Sequence, residues 1–221
     1  MMKNETLKRI LSSLIIMPIA FFFIIKGSIF FIFFLVIFFL FTSYEWVKMC
    51  KNELIKLIGI TYLLLVCYSA YMFRENHSTV YDFLFVITIC ISTDIGGYVF
   101  GKLFKGPKLT KISPNKTYSG MIGSFFIAII TAYLFKFYVY KAYVPDEIDF
   151  NINNISDFYF LLLVLFISSV SQVGDLIISY FKRLSKVKNT GNLIPGHGGL
   201  LDRVDGIIFA IPISYILFQV M

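Results

Sequence analysis

Charged residues are scarce in this sequence. Only 15% of its 221 residues are charged, whereas 58% are hydrophobic, and the mean hydropathy is +0.80. A typical soluble domain has about a quarter of its residues charged. Because one water-soluble core cannot enclose so much apolar surface, the composition excludes a soluble globular fold, a disordered chain and a collagen-like repeat. It predicts an all-α, polytopic integral membrane helix bundle.

Cysteine and histidine are also sparse. There are three cysteines and two histidines, and Cys50, Cys67 and Cys90 lie far apart with no CxxC pair. Disulfide frameworks and zinc sites need such residues in sets. The sequence also lacks the GxxxxGK[ST] loop of P-loop ATPases. These absences exclude a disulfide scaffold and argue against zinc and P-loop chemistry.

Long apolar runs fill most of the chain, and a spanning helix needs about 20 mostly apolar residues. Seven runs are predicted to span a membrane: Ile10–Ile25, Ser28–Val47, Leu54–Phe73, Val80–Phe100, Met121–Tyr140, Ser156–Ser179 and Gly206–Met221. The first run follows three basic residues, as in a secretory signal. Because no small-residue cleavage site follows and another apolar run begins at once, we expect it to be retained. The sequence predicts one membrane domain over residues 1–221 with about seven transmembrane helices.

The net charge of +7 is explained by the distribution of lysine and arginine. Sixteen of the 20 basic residues lie at the N-terminus and in the loops 48–56, 102–116 and 182–203. The alternate loops hold the other four basic residues together with the acidic Asp146, Glu147 and Asp149. Cytoplasmic loops of membrane proteins collect Lys and Arg. We therefore expect an inner-membrane protein with a cytoplasmic N-terminus and no nucleic-acid partner.

A carboxylate interrupts the fourth apolar run. An ionised Asp94 at membrane depth costs about 2.5–3.5 kcal/mol, which favours a functional role, although pairing with Lys102 would also explain it. On a helix, Asp94, Tyr98 and Lys102 share one face. Gly97 and Gly101 form a small-xxx-small pair, which is typical of close helix packing.

A polar loop precedes the fifth run. It contains Ser113, Pro114, Lys116 and Thr117, and Gly120 follows. Such a loop can present backbone N–H groups and ammonium charges to phosphate. The alternative is a basic anchor on the inner membrane surface.

The third polar region surrounds the last two apolar runs. On helices, two sets of residues share a face: Asp175, Ser179, Lys182 and Lys186 form one, and Asp202 and Asp205 the other. Converging carboxylates at the membrane boundary suit Mg²⁺, which takes oxygen ligands and shares substrate phosphates. The neighbouring lysines and arginines would neutralise further phosphate oxygens. These residues predict a cytoplasm-facing site for a phosphorylated compound and a divalent metal.

The stretch SYFKRLSKVKNTGNLIPGHGGLLDRVD, residues 179–205, resembles the signature of the phosphatidate cytidylyltransferases, or CDP-diacylglycerol synthases. The matching residues are Ser179, Lys182, Arg183, Lys188, Pro195, Gly196, His197, Gly198, Gly199, Asp202, Arg203 and Asp205. The segments GDL, DIGGYVFGK and SPNKT are also similar to the family, so the resemblance covers about residues 94–205. Two positions depart from the pattern: Asn189 stands where aspartate is usual, and Ser119 where glutamate is common. These departures argue against an indispensable base at 189 and an acid–base role at 119.

The resemblance implies that CTP and phosphatidic acid react to give CDP-diacylglycerol and pyrophosphate at the membrane. It implies Mg²⁺ as cofactor, bound by Asp175 and Asp202, and leaves a second monovalent or divalent cation open. Catalytic roles are implied for Asp175, Asp202, Asp205, Lys182 and Arg183. Substrate-binding roles are implied for Ser113, Lys116, Thr117, Lys188, His197, Gly198, Gly199, Arg203 and Asp94.

Residues 1–79 carry none of these motifs, so we expect their helices to serve mainly as a scaffold for the motif-bearing region 94–205. Homodimerisation through glycine-containing helices is a further hypothesis. The rival functions are an ion-coupled transporter, since intramembrane aspartates can mark ion pathways, and a cytidylyltransferase or kinase that acts on another lipid.

Overall fold

The structure of the protein is a computed structural model that describes residues 18–76, 80–110, 112–144, 152, 155–191, 193 and 198–220. The helices are α1 (helical over residues 18–26), α2 (Ser28–Met49), α3 (Glu53–Asn76), α4 (Val80–Phe104), α5 (Tyr118–Phe135), α6 (Lys141–Tyr143), α7 (Asp157–Leu184), α8 (Leu201–Val204) and α9 (Ile207–Val220). A π-helical turn, Lys136–Tyr140, joins α5 to α6. The described residues contain no strand, and Lys108 and Thr117 form an isolated bridge. The predicted all-α fold is confirmed.

Five of the seven predicted spans are helices long and apolar enough to cross a membrane: α2, α3, α4, α5 with its continuation to Tyr143, and α7. The count of seven is not confirmed. The first predicted span, Ile10–Ile25, lies mostly outside the described residues. In place of the last, Gly206–Met221, the structure has α9, whose 14 residues are fewer than the about 20 that a bilayer needs. The chain is a multi-pass membrane protein.

Helices α4 and α5 approach each other through glycines. A Cβ atom on Gly96 would lie 2.4 Å from the carbonyl oxygen of Gly123, and one on Gly120 would lie 2.8 Å from that of Gly97. A Cβ on Gly101 would lie 3.2 Å from the Thr117 hydroxyl of the same chain. The packing role predicted for the Gly97–Gly101 pair is confirmed, and its partner is α5.

The turn between α1 and α2 is held by the end of α3. The Arg74 guanidinium donates to the carbonyls of Ile24 and Ile25, both over 2.8 Å, and Glu75 accepts from the first amide of α2 over 2.7 Å. These contacts satisfy backbone groups that helix ends leave without partners. Gly27 has a φ of +66°, and a Cβ there would lie 2.3 Å from the Arg74 guanidinium. Glycine is therefore required at this turn.

The apolar core lies between α3, α4, α5, α7 and α9. Its centre is aromatic: the Phe85 ring lies 5.8 Å from that of Phe160, and the Phe73 ring lies 5.2 Å from that of Phe218. Burying aromatic rings of this size stabilises the bundle at the end where α4 and α7 begin. The residues of the predicted site collect at the opposite end, where these two helices finish.

Candidate active site

The polar segments that interrupt the apolar runs meet at one end of the bundle. Lys116, in the loop before α5, lies 2.5 Å from the Asp175 carboxylate on α7. At the end of α7, Arg183 Nε donates to the carbonyl oxygen of Ile112 over 3.3 Å. Asp94, near the end of α4, is close enough to Asp175 and Lys116 to interact with both electrostatically. The three polar regions identified in the sequence thus contribute to one site.

Asp175 and Asp205 form a carboxyl pair at its centre. A Cβ on Gly174 would lie 2.9 Å from the carbonyl oxygen of Asp205, and one on Gly206 would lie 2.3 Å from Ser171 Oγ. This close approach of α7 to the turn before α9 lets the two carboxyl groups hydrogen-bond to each other. Asp205 is only 8% exposed. Burial, and then the negative charge of Asp175, raise the pKa of the Asp205 carboxyl well above its usual value.

Two further groups lie beside this pair. Ser179 Oγ donates to Asp175 Oδ1 over 3.3 Å, as expected for residues four apart on one helix. Asp94 is exposed and also interacts electrostatically with Arg203. Lys102 Nζ lies 5.7 Å from the centre of the Tyr98 ring, and none of the ion pairs among the described residues joins it to Asp94. The structure therefore places Asp94 with the site and not with Lys102.

Asp202 occupies a different environment. Its Oδ1 lies 2.8 Å from Lys182 Nζ, and its Oδ2 accepts from the backbone N–H groups of Thr190 and Gly199 over 2.9 and 3.2 Å. Both oxygens therefore have protein donors. Asp202 connects the end of α7 to the residues before α8.

Sequence reasoning missed Glu45, a buried carboxylate near the end of α2. It is 1% exposed and accepts hydrogen bonds from Thr190 Oγ1 over 3.0 Å and from the N–H groups of Leu200 and Leu201, both over 2.9 Å. The signal was available, because Glu45 stands in an apolar run just as Asp94 does. It lies in the region predicted to be mainly scaffold, yet it binds the motif-bearing segment.

The residues 198–200, here called the glycine turn, are shaped by these carboxylates. Gly198 has a φ of +92°, and a Cβ there would lie 3.2 Å from Asp202 Oδ2. A Cβ on Gly199 would lie 2.1 Å from Thr190 Oγ1 and 2.5 Å from Glu45 Oε2. Glycine is therefore favoured at Gly198 by its positive φ and at Gly199 by the side chains packed against it, without any contribution from a ligand. Their predicted approach to substrate phosphates stays a prediction, and His197, with Pro195 and Gly196, lies outside the described residues.

The loop before α5 is organised by its own hydroxyl groups. Thr117 is the N-cap of α5, where its Oγ1 accepts from the N–H of Gly120 over 3.1 Å. Ser119 Oγ donates to the carbonyl oxygen of Lys105. The N–H of Ser113 donates to Thr110 Oγ1 over 3.1 Å. This geometry presents Lys116 to Asp175, while the substrate-binding roles of Ser113 and Thr117 stay predictions.

The remaining predicted substrate-binding groups are basic and exposed. They are Lys188 and Arg203, together with Arg183 of the predicted catalytic set, and Arg203 interacts electrostatically with Asp94. Exposed cations at the mouth of a carboxylate cluster attract a polyanion such as a nucleotide.

The carboxyl pair is the donor set that suits a divalent cation. Asp205 is buried and Asp175 is half-buried, and two carboxylates so close together repel each other unless a proton or a cation lies between them. No group of three or more His, Cys, Asp or Glu side chains in the described part of the chain is arranged to hold a metal. Mg²⁺ commonly takes one or two carboxylates and completes its shell with water and substrate phosphates. Asp175 and Asp205 fit this ion, whereas Asp202 would first have to exchange the Lys182 contact.

Comparison with known proteins agrees with the resemblance seen in the sequence. Residues 53–221 match the model of a family described as the cytidylyltransferase family. A phosphatidate cytidylyltransferase of Rickettsia bellii is 32% identical, over 78% of this chain and 73% of the relative. A relative with the same name in Staphylococcus haemolyticus is 36% identical, over 80% of this chain and 65% of the relative. Another, in Bacillus subtilis, is 40% identical, over 62% of this chain and 48% of the relative. The chain therefore spans between about half and three quarters of the length of these relatives. The extent and identity of these matches show that the chain belongs to the cytidylyltransferase family.

Proposed function

We propose that the protein transfers the cytidylyl group of CTP to phosphatidic acid, with CDP-diacylglycerol and pyrophosphate as products. The observation that carries the proposal is the Asp175–Asp205 pair, with Lys116 bound to it, at the polar end of a multi-pass bundle. Relatives named phosphatidate cytidylyltransferase support it. A site at the end of membrane helices reaches a water-soluble nucleotide and a lipid headgroup together.

The reaction is a substitution at phosphorus. A phosphate oxygen of phosphatidic acid attacks the α-phosphorus of CTP, the bond from that phosphorus to the oxygen that bridges to the β-phosphorus breaks, and pyrophosphate leaves with the bonding electrons. Both reactants are anions, so the main requirement is to reduce their repulsion and to stabilise charge on the leaving group. In the proposal, Lys116, Arg183 and Arg203 bind phosphate oxygens. Mg²⁺, bound by Asp175 and Asp205, would supply further charge neutralisation.

We also propose that this end of the bundle faces the cytoplasm, as the basic loops indicate. The homodimer stays a prediction. Because α4 and α5 cover the Gly97–Gly101 face within one chain, a dimer would have to use another surface. Crosslinking in native membranes tests it, and a yield of monomer alone would contradict it.

The test is conversion of labelled CTP into lipid-extractable product by purified protein with phosphatidic acid and Mg²⁺. We expect Asp175→Asn and removal of metal by EDTA each to abolish conversion. Asp157→Asn is the matched control, because Asp157 lies at the other end of α7 and is 81% exposed; it should retain wild-type activity. A folded wild-type protein that makes no labelled lipid under any lipid mixture would refute the proposal and favour the transporter alternative.

A further inference from the structure

Glu45 connects the N-terminal helices to the segment that carries the motif residues. It lies on α2, before the residues that match the family model, which begin at position 53. Its three hydrogen-bond donors are 145 to 156 residues away in the sequence. At 1% exposure, the Glu45 side chain has no surface left to contact a substrate. Any effect it has on the reaction must therefore pass through the residues that it holds.

Glu45 and Asp202 hold the same short segment from two sides. The N–H of Gly199 donates to Asp202, while the next two N–H groups, of Leu200 and Leu201, donate to Glu45. Thr190 binds both carboxylates, since its N–H donates to Asp202 and its hydroxyl donates to Glu45. The position of the Asp202 carboxylate is thus coupled to that of Glu45 through Thr190, which donates to both, and through the three consecutive N–H groups of residues 199–201.

We propose that Glu45 is a positioning residue that orients the glycine turn, and with it Asp202 and Arg203, for cytidylyl transfer. This inference rests on the function proposed above. It implies that α2 is part of the catalytic architecture and not merely a membrane anchor. Mutation of outer-shell groups that orient reacting side chains commonly lowers activity.

A carboxylate is needed at this position because both of its oxygens accept. Oε1 accepts from Leu200, and Oε2 accepts from Leu201 and Thr190. In Glu45→Gln, one end of the amide becomes an NH₂ group that faces a backbone N–H, whichever way the amide is turned. One buried donor then loses its acceptor while the volume of the side chain hardly changes. The variant therefore tests position with little change in packing.

The experiment compares full-length wild type, Glu45→Gln and the control Glu53→Gln in lipid nanodiscs. Glu53 lies in the first turn of α3, and its side chain is 85% exposed. We expect Glu45→Gln to lower kcat by about tenfold to a hundredfold and to leave the KM for phosphatidic acid within about twofold. Amide hydrogen exchange should rise in residues 198–204 but not in α5. Glu53→Gln should match wild type in both measurements.

A second pair of variants isolates one hydrogen bond. Thr190→Val removes the hydroxyl that donates to Glu45, and Thr190→Ser restores it. We expect Thr190→Val to lower kcat, Thr190→Ser to recover it, and the Glu45→Gln/Thr190→Val double variant to lose less than the product of the two single losses, as coupled residues do.

The outcomes separate the two proposals. Wild-type kcat and exchange in Glu45→Gln would overturn the positioning role, and so would a loss of activity with faster exchange in all helices, because that pattern indicates general destabilisation. If wild type itself makes no CDP-diacylglycerol, the proposed function fails. In that case, the difference in amide hydrogen exchange of residues 198–204 between wild type and Glu45→Gln is the only test of whether Glu45 holds the glycine turn.

Discussion

The ion pair between Lys182 and Asp202 allows stability and activity to be separated. Its atoms lie 2.8 Å apart, and the two side chains are only 13% and 10% exposed. Breaking a buried pair by removing one partner costs about 3–5 kcal/mol. Because both groups keep some contact with solvent, and because asparagine still accepts a hydrogen bond, we expect Asp202→Asn to cost about 3 kcal/mol. This corresponds to a change of roughly a hundredfold in the ratio of folded to unfolded protein.

The decisive variant is the double substitution Lys182→Met/Asp202→Asn. Methionine fills a volume similar to that of lysine and carries no charge to leave unpaired, so we expect the double variant to recover at least half of the lost stability. It should stay inactive, because both residues belong to the predicted catalytic set. Thermal unfolding in detergent and the labelled-CTP assay measure the two properties on the same samples. Activity that returns together with stability would show that Asp202 acts only as a structural residue, and wild-type activity in Asp202→Asn would remove it from the site.

Two further predictions concern packing and orientation. Gly96→Ala should destabilise the protein strongly, because the new methyl would lie 2.4 Å from a backbone carbonyl of α5; Gly101→Ala, whose nearest neighbour would lie 3.2 Å away, is the milder control in the same thermal unfolding assay. A cysteine at the exposed Lys188 should react with an impermeant thiol reagent only after the cytoplasmic side is opened. The native Cys50 and Cys90 are buried, so wild type provides the background, and labelling of Lys188→Cys in intact cells would contradict the proposed orientation.

The main features of the fold could be predicted from local sequence patterns. Apolar runs predicted seven spans, and five of them are helices of spanning length, because the cost of exposing polar backbone in lipid favours a helix in any spanning segment. The last predicted span corresponds to α9, which has only 14 residues and is not counted among the spanning helices. The prediction treated Gly206 as part of an apolar run, whereas the structure places a turn there, with the Gly206 N–H donating to Asp205.

The candidate site was only partly predictable for a related reason. Spacing along a helix correctly placed Ser179 beside Asp175, because residues four apart share a face. The position of Glu45 in an apolar run could have marked it as a candidate, but its partners lie at least 145 residues away, so no local pattern shows what it binds. The prediction for Gly198 and Gly199 left out their packing for the same reason. The atoms that crowd these glycines belong to Asp202, Thr190 and Glu45, which are not all near them in the sequence.

The structure distinguishes carboxylates that the sequence presents as equivalent. Asp202 is neutralised by Lys182 and held by two backbone N–H groups, so it needs no cation to remain buried. Asp175 has Lys116, but it also contacts Asp205, and two carboxyl groups cannot share one ammonium ion without a proton or a further positive charge. In the proposed reaction, a metal would bind at this site together with the polyanionic substrate, and this difference would then matter. The Asp175–Asp205 pair would be the place for the cation, while Asp202, whose oxygens already have protein donors, would keep the surrounding backbone in place.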